Sequence, residues 1–145
     1  MQSQRPPSRT KMRVDLPREV KRVPTANNAV AAAVVDGKAW IVSVLGIGAG
    51  KDHLAITQRA FALDVAAGRW EPLPDVPGEK GRIAPTAQAL GVRVYIFGGY
   101  SVAADGAEVS EPAVDVLDLR RREYYGPPTC RYRRTTRCPV YGAID

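Results

Sequence analysis

One internal repeat constrains this chain more than any other feature. The stretch ANNAVAAAVVDGKAWIV (26–42) aligns without a gap on GRIAPTAQALGVRVYIF (81–97), at an offset of 55 residues. Each copy reads as a strand of small residues, a tight turn, and a second strand richer in aromatic and β-branched residues. The turn residues Asp36-Gly37 fall opposite Gly91-Val92, and Asp-Gly between apolar runs is a strong hairpin signal. A second match follows, FALDVAAGRW (61–70) on VDVLDLRRREY (114–124), with Asp64 six residues before Trp70 and Asp118 six before Tyr124. Between the paired strands lie the longer loops 46–58 and 100–113, rich in Gly and polar residues.

Each unit therefore holds four short strands in about 50 residues, the period of radially arranged sheets in which one repeat makes one blade. NNAVAAAVV has the alanine content of a helix. Its repeat partner IAPTAQAL carries Pro85 inside, which breaks a helix but is tolerated in an edge or irregular strand. Both read as the innermost strand, where blades converge and large side chains do not fit. Two unrelated hairpins would not match twice in register. The predicted architecture is all-β, with two four-stranded antiparallel blades at 24–73 and 79–125. Irregular basic segments flank them at 1–23 and 126–145.

RVYIFGG (93–99), followed by a long loop, VDVLDL and an aromatic residue, resembles the Kelch motif, with Gly98-Gly99 as the double glycine that ends the second strand. Arg82 resembles the arginine often found before the first strand. VPTANNAVAAAVVDGK, AFALDV and PTAQALGVRVYIFGGY are similar to a bacterial Kelch group related to galactose-oxidase and sialic-acid-epimerase propellers. The likeness covers residues 23–125. It departs in the first blade, where Ser43-Val44 stands in place of Gly-Gly, and it stops after Tyr125. The resemblance implies a partial Kelch-type β-propeller, about two blades long and too short to be a whole working protein.

Charge sets the first limits on function. The net charge is +6, but residues 26–119 hold seven Lys/Arg against eleven acids. The basicity sits in the ends, where 1–25 and 120–145 each hold seven Lys/Arg against two acids. A mildly acidic middle without a basic face does not read nucleic acid specifically. No run of 18 apolar residues crosses a membrane as a helix. The N-terminus MQSQRPPSRTKMRV has charge but no apolar stretch behind it, so it is not an intact signal peptide, and the compartment stays open.

Several chemistries fail on residue type. GIGAGKD (46–52) suggests a phosphate loop, but a P-loop needs glycine where Leu45 stands and Ser/Thr where Asp52 stands. Copper-radical oxidation needs several His and Tyr ligands and a Cys-Tyr pair, and the chain has one histidine, His53. Cys130 and Cys138 do not match zinc spacings, so no metal or other cofactor is expected.

The resemblance implies a Kelch-repeat protein whose role is to bind a protein or carbohydrate ligand. Asn27, Asn28 and Arg82, with Glu79 nearby, are the candidate residues at the mouth of the innermost strands. Asn and Arg at such positions also commonly bond to neighbouring carbonyls, which is the plain structural reading. The alternative function is a fragment of a sugar epimerase or mutarotase of the sialic-acid-epimerase-like Kelch group. Such an enzyme needs acid and base groups around a pocket assembled from every blade, so the chain alone is expected to lack activity. Two blades leave faces and an edge unclosed, and self-association or aggregation is expected from them.

The C-terminus carries a further expectation. After Tyr125 the alternation ends, and the last twenty residues bring both cysteines and four arginines. Back-translated with GC-rich synonymous codons and read from each third base, this segment gives RAADMPVPADDAVPGVWRDR. That string contains the blade-opening pattern that the family resemblance calls for, which predicts a frameshift just after Tyr125. A natural basic tail, short of apolar surface, is the alternative.

Overall fold

In the computed structural model the described residues are 22–50 and 53–125. They build two four-stranded antiparallel sheets and a small hairpin. The first sheet runs in simple order through β1 (Ala29–Val35), β2 (Lys38–Val44), β3 (Ala60–Asp64) and β4 (Arg69–Leu73). The second contains β5 (Thr86–Leu90), β6 (Arg93–Phe97), β9 (Val114–Asp118) and β10 (Glu123–Tyr125), in the same meander from β5 outward. β7 (Tyr100–Val102) and β8 (Glu108–Ser110) form a hairpin inside the loop between β6 and β9. The expected four strands per unit are present, and β7–β8 is an addition that sequence reading left as loop.

Local rules explain the elements. β1 alternates strictly between buried and exposed residues, as a half-buried strand must. Asp36 and Gly37 take φ of 51° and 77°, the sign pattern of a type I′ turn whose twist suits a hairpin. In the second sheet Gly91 alone is positive, at 58°, the pattern of a type II′ turn with glycine first. Asp64 and Asp118 each cap the next turn, accepting the N–H of Ala67 at 3.0 Å and of Arg121 at 2.9 Å.

The core lies between the sheets. The row Ala29–Val44–Ala60–Leu73 crosses the first sheet and is buried throughout. Opposite it, the row Ala89–Val94–Leu117–Tyr124 crosses the second sheet and packs into the same cluster. Each Val or Leu so buried contributes about 1.5–3 kcal/mol. The alanines let the inner strands approach.

Ladder pairings fix how the two repeats correspond. Gly98 and Gly99 take φ of 57° and 93°, while Leu45 and Gly46 take 63° and 99°. Ile83 and Tyr100 exchange backbone hydrogen bonds beyond the first pair of residues, and Ala26 and Ile47 do so beyond the second. Leu45-Gly46 is therefore the counterpart of Gly98-Gly99, not Ser43-Val44 as the gapless alignment expected. The same ladder matches Thr25, not Asn27, to Arg82. β1 and β2 have seven residues each against five in β5 and β6, so the first hairpin is longer by two residues on each arm. The alignment is right at the turn and slips by two toward the open ends. A slip of two preserves which face each residue occupies, so the alternation gave no warning.

On this correspondence the row Ala89–Val94–Leu117–Tyr124, which faces the first sheet, matches Ala32–Ile41–Leu63–Trp70. That matching row lies on the far side of the first sheet. Successive sheets thus pack front to back, related by a rotation. Backbone bonds stitch them together, from Gly46 N–H to the Arg82 carbonyl at 2.9 Å and from Ala84 N–H to the Asn27 carbonyl at 3.1 Å. The Gln58 amide donates to the carbonyls of Val76 at 3.0 Å and Gly78 at 2.8 Å.

Candidate functional site

The three candidate residues lie where the inner strands begin, and only their backbones converge. Asn27 is exposed in the left-handed region, φ 49°, a conformation asparagine tolerates. Its carbonyl is used by Ala84. Asn28 is half-buried, and its side-chain amide donates to the Ser43 hydroxyl. Arg82 is 4% exposed and forms an ion pair with Asp115 of β9, itself 7% exposed. Arg82 therefore lies inside the packing between the sheets, where its guanidinium holds a carboxylate, and is not open at a mouth. Glu79 is exposed on the segment joining the sheets.

Some buried polar groups, two of them at Arg82 and the neighbouring Tyr124, are incompletely paired. Its Nη1, the Tyr124 hydroxyl and the Thr25 hydroxyl are buried without a hydrogen-bond partner among the described residues. Burial pushes the Tyr124 hydroxyl well above the usual phenol range, and the carboxylates of Asp115 and Asp75 push the same way. Tyr124 thus stays protonated at neutral pH and is not a base.

At the opposite end the hairpin turns frame a groove of about 260 Å³ between the sheets. Trp40 lies at its base, with Lys38 Nζ 4.4 Å and the Arg122 guanidinium 5.7 Å from the ring centroid. Each cation there has its own carboxylate: Lys38 pairs with Asp64 at 2.6 Å, Arg122 with Glu71 at 2.7 Å, and Arg120 with Asp36 at 2.7 Å. The Lys38 bond, followed by the Ala67 N–H, holds the Asp64 carboxyl below its ordinary range. Arg122 does the same for Glu71. Sequence reading missed this groove. Its one legible trace was the run Arg120–Arg122 after β9, and pairing across 84 residues to Asp36 left no local signal.

The rejected phosphate loop is built as a turn. Gly48 N–H donates to the Ala55 carbonyl at 2.8 Å, and Ile47 bridges Ala26 and Ile56. Lys51, Asp52, Cys130, Cys138, and the segments 1–21 and 126–145 with the expected frameshift, lie outside the described residues. Among the described residues no group of three or more His, Cys, Asp or Glu could hold a metal ion, and no helix is long and apolar enough to cross a membrane.

Two open four-stranded antiparallel sheets, stacked front to back with their small-residue strands innermost, define the class: an all-β partial propeller. The solved structure of YjhT is similar, with a TM-score of 0.50 at 18% identity over 73% of this chain. The match spans 28% of the length of YjhT, and at that identity the likeness is one of fold. No protein-family profile matches the chain, and no curated protein matches it.

Proposed function

We propose that the chain comprises two blades of a Kelch-type propeller, at 24–73 and 79–125, and that its role is to bind a protein or carbohydrate ligand. The observation that carries this reading is the β7–β8 hairpin. Among the described residues it adds two strands to the second repeat and none to the first, and every residue of β8 is exposed. It is anchored at its root by the mutual backbone bonds of Tyr100 and Ile83, and by Ser101 donating to Glu111 at 3.1 Å. An exposed loop held on a rigid sheet is how scaffolds of this kind present a recognition surface. Gly98-Gly99 supports the Kelch assignment on physical grounds. A Cβ at position 99 would come within 2.8 Å of the Ile83 carbonyl oxygen, so the second glycine is required where strand and inner segment touch.

Binding is favoured over catalysis because Arg82, the candidate most suited to a sugar carboxylate, is already committed to Asp115. A glycan array followed by NMR titration tests the carbohydrate arm, and protein-interaction screening with purified partners tests the other. The expected result is saturable binding that is lost when β8 is replaced by a short Gly-Ser turn. NMR exchange assays on sialic-acid anomers and epimers should show no turnover. Turnover abolished by Arg82→Ala in a folded variant would replace this reading with the epimerase or mutarotase one.

A further inference from the structure

We infer that the outer faces of the two sheets form a head-to-tail docking surface for a second copy of this chain. The inference rests on the sheet geometry and is independent of any ligand. The front-to-back stacking makes the two outer faces counterparts of the two inner ones. On the first sheet the outward face carries Val30, Ile41 and Phe61, which correspond to Ala87, Val94 and Asp115 of the second sheet's buried face. On the second sheet the outward face carries Tyr95, Phe97, Val114 and Val116, which correspond to Val42, Val44, Ala60 and Ala62 of the first sheet's buried face.

Apolar side chains lie on both outer faces; on the second sheet they share the face with Thr86, Gln88 and Arg93, which stand where Ala29, Ala31 and Trp40 stand on the first. Val30 is 52% exposed and Val114 is 50% exposed, although Ala60, the counterpart of Val114, lies in the core cluster and Ala87, the counterpart of Val30, packs against it. Tyr95 and Phe97 stack at 6.5 Å on the open face of the second sheet. The Arg82–Asp115 pair has no charged counterpart on the first sheet, where Thr25 and Phe61 take those places. The face a second copy would present is therefore easier to desolvate than the one already packed. The interface inside one chain is the template for the interface between two.

Sheet edges are poorer candidates. The outer strand β4 carries Pro72, which has no N–H to offer, and β10 has three residues. Association through faces that differ from each other is heterologous, so it closes into a ring when the rotation allows. Rings of this type hold about 4–8 blades, of which these sheets would supply two.

The test uses the full chain with Val30→Lys, which blocks one face, and Val114→Lys, which blocks the other. Light scattering coupled to size exclusion should give a multi-chain mass for the unmodified protein and a single-chain mass for each variant. Every head-to-tail contact needs one face of each kind. An equimolar mixture of the variants should therefore give a two-chain species that grows no further. Far-UV circular dichroism checks folding, and Val34→Lys with Leu90→Lys, on the same two faces, serve if either first choice unfolds. A single-chain mass for the unmodified protein across concentrations would overturn the inference, as it would if other segments of the same chain or nothing covered the faces. Variants that still associate alone, or a mixture that stays single-chain, would overturn it as well.

Discussion

Leu45 places a large side chain where its counterpart is glycine. It is 0% exposed and sits at φ 63°, a left-handed conformation that costs a side-chain-bearing residue about 1–2 kcal/mol. Burial works in the other direction, since removing a buried leucine side chain costs about 2–5 kcal/mol. Burial wins. Leu45→Gly, which would give the first sheet the double glycine of the second, is predicted to lower stability by about 2 kcal/mol, read as a lower urea midpoint at unchanged slope. An unchanged or raised midpoint would mean that strain dominates at this position. Gly46 has no such choice, because a Cβ there would run into the Ala26 carbonyl oxygen.

Between elements, the Arg82–Asp115 pair ties the segment before β5 to β9. Buried pairs are costly to break and often unnecessary to keep, because the desolvation of both charges offsets their attraction. Arg82→Met alone or Asp115→Leu alone is therefore predicted to cost about 3–5 kcal/mol, while the double variant should fall near the unmodified protein. A four-member cycle of urea midpoints measures this, and additive losses would remove the pair from any structural role. The four strands of each sheet, the two tight turns and the small-residue inner strands were legible in the sequence, because hairpin residues and a period of two are local signals. The correspondence of repeats was legible only at the turns. Period two cannot see a slip of two, so Leu45-Gly46 was passed over for Ser43-Val44, and Asn27 was set opposite Arg82. The burial of Arg82 was hidden for a different reason: its partner lies 33 residues away, in a strand whose alternation gives Asp115 no special mark. The β7–β8 hairpin was hidden by its polar, exposed composition.

For the molecule as a whole, the stitching between sheets predicts one unfolding event. Both tryptophans, Trp40 and Trp70, belong to the first sheet, whereas far-UV circular dichroism reports both sheets. Melting followed by the two signals should share one midpoint, since Gly46, Asn27, Arg82 and Ala84 join the inner strands through backbone bonds. Separate midpoints would mean that the sheets are independent folding units. The front-to-back relation of the sheets also bears on how such a gene can grow. Each sheet offers forward the same kind of surface that the next one accepts. A tandem duplication of the coding unit would therefore supply a layer already oriented to stack on its neighbour. Length can then change in whole units, each bringing its own loops to the rim of the stack.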